Sequence, residues 1–320
     1  MIAPFKFVPY LKPVLWGGNK IAPFKGIESD CDNIGESWEI SGVPGHESVV
    51  SEGPDKGLTL PELVKKYGAA LMGSHVIEKY GDTFPLLVKL IDAKKDLSVQ
   101  VHPDDVLACK RHQSLGKTEM WYIVDTEPGA RIYAGLSEKI TPDDYTRLVE
   151  EKKIMDVVAA HDSAPGDIFF LPAGRIHAIG AGNLLAEIQE TSDITYRVYD
   201  FDRRDANGNT RELHTELAKD AIDYTVYPEY KGSYDKNSKG ETELVKCDHF
   251  DVRRVMVEGE IRVTTEPDSF VVIMCLDGEC SVITGDVTTP MRRGETILVA
   301  ASTAPSIIAT GSATLLTATA

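Results

Sequence analysis

The sequence predicts a mainly β protein built of two β-barrels with a few decorating helices. Short runs rich in Val, Ile, Leu and aromatic residues recur along the chain with turn residues between them, the pattern of a sandwich or barrel. Residues 240–320 carry almost nothing else, in FDVRRVMV, SFVVIMCL, CSVIT, ETILVA, PSIIA and TLLTATA. An internal echo adds to this. GDIFFLPAGRIH (166–177) and GETILVAASTAP (294–305) share a glycine, an acid, an apolar strand and a turn, with Pro305 where the first copy has His177. Such an echo fits a duplicated barrel in which only the first copy kept polar site residues. The division reads as 1–235 for the site-bearing unit, helices included, and 236–320 for a second β unit.

Taken in order, residues 1–58 are rich in Gly and Pro, with strand-like pieces such as Glu36–Ser41. Residues 59–80 have helical spacing, with Thr59 as cap and Pro61 early, where proline is tolerated. FPLLVKLIDAKKDLSVQV (84–101) reads as two strands broken by the polar stretch Asp92–Asp96. PDDVLACKRHQ (103–113) opens with Pro and two Asp, a good helix start. MWYIVD (120–125) is a strand, and 140–161 a helical excursion capped by Thr141. Strands resume at 167–172, 184–190 and 194–201, a helix follows at 212–223, and the polar stretch 228–241 reads as a linker.

Composition bounds the function. A chain of 320 residues can bury about three quarters of its surface, leaving roughly 13,000 Å² exposed, and needs no covalent staples. The formal net charge of −16 argues against a nucleic-acid partner, which demands a basic face, and against anionic lipid. It leaves room for one small anionic substrate held by local cations. The cysteines at 31, 109, 247, 275 and 280 are odd in number, scattered and free of any CxxC, so reduced thiols are expected. Pro4, Pro9 and Pro13 break the start of the chain, no signal core follows, and no apolar run is long enough to span a membrane. A cytoplasmic location is the expectation.

The chemistry-bearing residues fall on strands. With a side-chain period of two, Ser98, Gln100 and His102 share one face of SVQVHP, and Val99 and Val101 take the other. Lys117 and Glu119 share a face of the next strand, as do Glu187 and Gln189, and Thr195, Arg197 and Tyr199. Gln100, His102, Glu119 and His177 together have the composition of a borderline metal site, two imidazoles, one carboxylate and one amide oxygen, a set that zinc accepts. A lone strand histidine is equally the mark of an ordinary satisfied polar residue, so spacing leaves both readings open. Lys89, Lys117 and Arg197 also fit exposed edge-strand positions. Yet Lys89 interrupts the apolar run LLVKLI, which suits a buried charge with a partner. Lysines beside a hydroxyl such as Ser98 make a workable phosphate clamp. No GxGxxG or GxxxxGK[ST] loop occurs.

Over essentially its whole length the chain resembles the type I mannose-6-phosphate isomerases in their short bacterial form, zinc-dependent enzymes of the cupin superfamily. WGG (16–18), GESWEIS (35–41), FPLLVKLIDAKKDLSVQVHPDD (84–105), GKTEMWY (116–122) and LPAGRIHAIGAGNLLAEIQETSDITYRVYDFDR (171–203) carry the likeness. The resemblance implies two cupin-like, jelly-roll barrels. It also implies one zinc ion per chain, ligated by Gln100, His102, Glu119 and His177. Ser98, Lys89 and Lys117 then match the substrate and phosphate end. Arg197, Glu187 and Lys117 match the catalytic residues. The implied reaction interconverts mannose 6-phosphate and fructose 6-phosphate through a cis-enediol. Glu187 is a candidate proton carrier if burial raises its pKa toward neutrality, with zinc-bound hydroxide and a deprotonated lysine as the alternatives. Another metal-dependent cupin enzyme, such as an oxygenase, and a non-catalytic sugar-phosphate sensor are the competing readings.

Overall fold

Three antiparallel sheets carry the chain. The computed structural model describes residues 2–205, 207–263, 268–304 and 307–320. A seven-stranded sheet runs Lys231–Gly232, Ile168–Leu171, Glu119–Thr126, Asn183–Glu190, Leu86–Ala93, Tyr10–Gly18 and Ile34–Ile40, in spatial order. A five-stranded sheet runs Tyr196–Tyr199, Val99–Val101, His177–Ile179, Arg131–Leu136 and Val158–Asp162. The two meet face to face: Trp121, Ile123, Phe169 and Leu185 of the larger pack on Ile132, Ala134 and Ile179 of the smaller. This is the first jelly roll.

The larger sheet is buried on both faces, which is why LLVKLIDA (86–93) and NLLAEIQE (183–190) read as runs rather than as alternation. From its outer face Leu86, Val88, Leu90, Met120 and Ile188 project onto Leu60, Leu63 and Met72 of the early helices. Phe250, Val272, Met274 and Leu316 of the C-terminal β unit complete the same core. That unit is the third, eight-stranded sheet, dominated by Asp251–Arg262, Val271–Thr284 and Ile307–Thr319. Its own interior holds Val255, Val257, Ile273, Val299 and Leu315. On the free face of the five-stranded sheet lie Pro142–Glu150 and Thr215–Ala221, through Tyr145, Leu148 and Ala218.

Tertiary contacts revise several local expectations. Residues 59–80 form three helices, Leu60–Tyr67, Ala69–Met72 and Ser74–Tyr80, broken at Gly68 and Gly73. At Gly73 φ is +97°, and a Cβ there would lie 1.7 Å from the Asp268 carbonyl oxygen, so the break lets the C-terminal unit approach. The helix of 140–161 stops at Glu150, and Val158–Asp162 returns as a strand beside Arg131–Leu136. Phe5–Val8 adds to the C-terminal sheet through Phe5 opposite Leu298. Within the expected linker, Lys231–Gly232 pairs with Ile168–Phe169. The two copies of the echo do give matching strands, Ile168–Leu171 and Thr296–Val299, one in each β unit; Pro305 lies outside the described residues. The five cysteines are unpaired. Exposed surface is 13851 Å², close to the expectation from chain length. Among the described residues no helix is long and apolar enough to cross a membrane.

Phe270 is fully buried, with its ring 4.5 Å from that of Phe84, where the two β units meet. Phe270→Ala is expected to lower unfolding free energy by about 3–5 kcal/mol through lost burial and an unfilled cavity. Urea denaturation of the full chain measures it.

Candidate active site

The register of the two facing sheets decides which side chains meet. In the smaller sheet Gln100 lies opposite His177 on one side and Arg197 on the other. In the larger, Glu187 lies opposite both Lys89 and Trp121, and Gln189 opposite Glu119. His102, just past the strand Val99–Val101, completes the set. Gln100, His102 and His177 thus face Glu119 across one end of the jelly roll.

Glu119 stands at the centre of a buried triad. His177 Nε2 is 3.2 Å from its Oε1, and His102 Nε2 is 3.6 Å from its Oε2. Both imidazoles are oriented from behind: His102 Nδ1 donates to the Ile194 carbonyl and His177 Nδ1 to the Arg175 carbonyl, each at 2.8 Å. A carbonyl only accepts, so each Nδ1 holds the proton and each Nε2 presents a lone pair inward. Gln100 Nε2 lies 3.3 Å from His177 Nε2. Reversing that amide, an assignment rather than a movement, turns its oxygen toward the same point. Among the described residues, His102 Nε2 and both Glu119 oxygens are buried without a hydrogen-bond partner. Orphaned lone pairs of this kind are costly unless something binds them. A nitrogen and oxygen donor set converging on one point fits a divalent metal. Burial pushes the imidazoles toward the neutral, ligating form: His102 is well below the usual histidine range and His177 at about 4. Burial likewise raises Glu119, against the pull of Lys117, whose ammonium is 3.4 Å away.

Beside the triad opens a cavity of about 390 Å³, the size of a small-molecule site. Lys12, Lys89, Lys117, Arg197 and Arg211 line it, against Glu36, Glu187 and Asp193, so it is locally positive in a strongly acidic chain. Ser98, Gln100 and Thr195 also reach it. Lys89 Nζ donates to Glu187 Oε1 at 2.9 Å and Gln189 Oε1 at 2.7 Å, while Trp121 Nε1 donates to Glu187 Oε2 at 2.8 Å. Burial acts upward on Glu187, but Lys89, Lys117 and these hydrogen bonds outweigh it and hold the carboxyl low. The condition of a pKa raised toward neutrality is therefore not met: Glu187 stays ionised. Arg197 is set differently. Its Nη1 donates to the Glu212 carbonyl at 2.8 Å, and its buried Nε has no partner among the described residues. The nearby carboxylate of Asp200 is taken by Arg203 and Arg211.

Residues 5–128 match the type I phosphomannose isomerase catalytic domain, and residues 240–319 the mannose-6-phosphate isomerase cupin domain. The mannose-6-phosphate isomerase ManA of Bacillus subtilis is 36% identical over 299 residues, covering 92% of each chain. The chain belongs to the type I phosphomannose isomerases. This isomerase overlays the crystal structure of the mannose 6-phosphate isomerase from Bacillus subtilis with a TM-score of 0.88, at 32% identity over 99% of both chains. A variant of the phosphomannose isomerase from Salmonella typhimurium shares the fold at a TM-score of 0.81 and 15% identity, again over 99% of both chains.

The isomerase brings the expected ligand, substrate-end and catalytic residues to one end of one jelly roll, whereas Tyr199, past a register shift after Arg197, packs on a separate core instead. Gln100, His102, Glu119 and His177 form the donor cluster. Ser98, Lys89, Lys117, Glu187 and Arg197 line the adjoining cavity. Sequence reasoning missed the cavity's far wall. Glu36 lies 3.9 Å from Lys89 and accepts from Trp38 Nε1 at 2.7 Å; the Trp38 ring lies 5.1 Å from the Lys89 ammonium. Lys12 and Arg211 were missed too. The signal for the first pair was present in GESWEIS, where Glu36 and Trp38 share a strand face. Arg211 sits in an irregular segment, where periodicity gives no signal.

Proposed function

We propose that the chain interconverts mannose 6-phosphate and fructose 6-phosphate through a cis-enediol, using one zinc ion held by Gln100, His102, Glu119 and His177. The observation that carries this reading is the buried set of inward lone pairs on His102 and Glu119 beside a positive cavity. Bound there with a single carboxylate ligand, zinc supplies about one net positive charge next to the sugar oxygens on which negative charge develops.

The chain's own groups do the rest. Arg197, unpaired with any carboxylate among the described residues, faces the same developing charge, and fixed cations of this kind are often the largest catalytic contribution. Glu187 takes the proton from one carbon and returns it to the next. The raised pKa expected for this role is absent, but the carboxylate is ionised and so able to accept, and the bonds from Lys89 and Trp121 fix its direction. Ser98 and Lys117 hold the phosphate end, and Lys89 contributes charge there while anchoring Glu187. Residues 236–320 form a second cupin unit that, among the described residues, supplies no side chain to the cavity. With five unpaired thiols and an acidic surface, the enzyme belongs in the cytoplasm.

A coupled assay of mannose 6-phosphate conversion, before and after chelator treatment and zinc restoration, tests this reading. Turnover lost with chelator and regained with zinc is expected. Unchanged turnover in metal-free enzyme overturns the zinc assignment, and tight sugar-phosphate binding without turnover overturns the enzymatic one. Ser98→Ala is expected to raise KM by about 10- to 100-fold with little change in kcat, since one hydrogen bond to a charged group contributes about 1.5–3 kcal/mol. Steady-state kinetics of the variant read it directly.

A further inference from the structure

One histidine of the C-terminal unit meets two carboxylates at a second place. His249 lies in the bend between the strands Gly240–Lys246 and Asp251–Arg262. Facing it are Glu190, the last residue of the strand that carries Glu187, and Asp105, the first residue of the helix Asp105–His112. One ligand atom from each of Asp105, Glu190 and His249 lies within 4.8 Å of the others. Glu190 is 1% exposed. Its Oε2 accepts from Thr118 N at 2.7 Å, but its Oε1 has no hydrogen-bond partner among the described residues. His249 Nδ1 stands 3.0 Å from that oxygen, an ion pair when the imidazole is protonated, but neither atom makes an aligned hydrogen bond among the described residues. Asp105 uses Oδ1 to accept from Gly116 N at 2.7 Å.

We propose that Asp105, Glu190 and His249 form a second divalent-metal site, separate from the catalytic one, that clamps the C-terminal unit to the active-site framework. One imidazole and two carboxylates are a borderline donor set that suits zinc, and their two negative charges offset the ion's. Water would complete four-coordination. The clamp would act on the segment Gly116–Glu119. Asp105 holds Gly116 N and Glu190 holds Thr118 N, on either side of Lys117 and directly before the ligand Glu119. Metal bound here orients both carboxylates from outside, and through them the backbone that presents Lys117.

The test is zinc titration of chelator-stripped full-length protein by calorimetry, with thermal unfolding followed alongside. Wild type is expected to bind two equivalents. His102→Ala, which removes a catalytic ligand, should keep one equivalent and a zinc-dependent rise in Tm. His249→Ala should also keep one equivalent but lose that part of the Tm rise. His102→Ala/His249→Ala should bind none. Asp105→Asn, at an exposed position, should weaken the second equivalent at least tenfold and serves if His249→Ala fails to fold. If His102→Ala binds no zinc at up to about tenfold molar excess, the second site is overturned; if His102→Ala keeps two equivalents, the catalytic ligand assignment fails instead.

Discussion

His102→Ala is expected to remove the catalytic metal and nearly all activity from a protein that still folds. His102 lies at a strand end, with its ring fixed by the bond from Nδ1 to the Ile194 carbonyl. Its loss leaves a small gap, not a broken strand. The larger consequence falls on Glu119, which is fully buried and, apart from a metal, has Lys117 as its near cation. Once the metal's charge is lost with His102, burial favours the protonated form of Glu119, so a second ligand is weakened with the first. Metal affinity is expected to fall by about 100-fold or more. Removing a metal that stabilises developing charge costs at least about 3 kcal/mol of the transition state, a fall of roughly 100-fold or more in kcat. Atomic absorption should read one zinc equivalent fewer per chain, and a coupled assay the activity. His177→Ala should behave alike, because its Nε2 is 3.2 Å from the same carboxylate. Unchanged zinc content in both variants would sink the ligand assignment.

How much of this was legible beforehand depended on whether a residue's partner lay on the same strand or far away in the chain. The period-two alternation of SVQVHP gave Ser98, Gln100 and His102 a common face, and all three reach one site. A lysine inside LLVKLI announced a buried charge with a partner; register supplied Glu187, directly across the ladder. The sign of that partnership was not legible. Burial alone pushes a carboxyl up, and only the spacing of Lys89, Lys117 and Trp121 around Glu187 reverses the shift. Local spacing also failed where distant chain decides. Residues 59–80 have one helix's periodicity, but the approach of Asp268 to Gly73 forces a break. Phe5–Val8 lies in a proline-rich start that gives no strand signal, and Thr296–Val299, nearly 300 residues on, supplies the ladder that makes it one. No local spacing joins Asp105, Glu190 and His249, because the first two come to His249 only across the contact between the two β units.

The second large effect is expected at Arg197. Arg197→Ala should lower kcat by about 100- to 1000-fold, leave zinc content unchanged and move KM far less. The argument is electrostatic. Of the five cations lining the cavity, Lys12 is paired with Glu36, Lys89 with Glu187, Lys117 with Glu119 and Arg211 with Asp200. Arg197 makes no ion pair among the described residues; a backbone carbonyl holds one Nη while its buried Nε stays open. An uncompensated, half-buried guanidinium beside the donor cluster has its charge available to whatever turns negative there. A fixed donor aimed at charge that grows in the transition state acts on kcat more than on KM. Removing one such donor typically costs about 2.7–4 kcal/mol, which sets the expected range. Arg197→Lys should rescue little. A lysine keeps the charge, but it cannot grip the Glu212 carbonyl and also present a second planar N–H to the cavity. Steady-state kinetics with metal analysis on both variants decide the matter. Near-normal kcat in Arg197→Ala would remove this arginine from the chemistry, and recovery in Arg197→Lys would show that charge alone, without the guanidinium's geometry, is what the reaction uses.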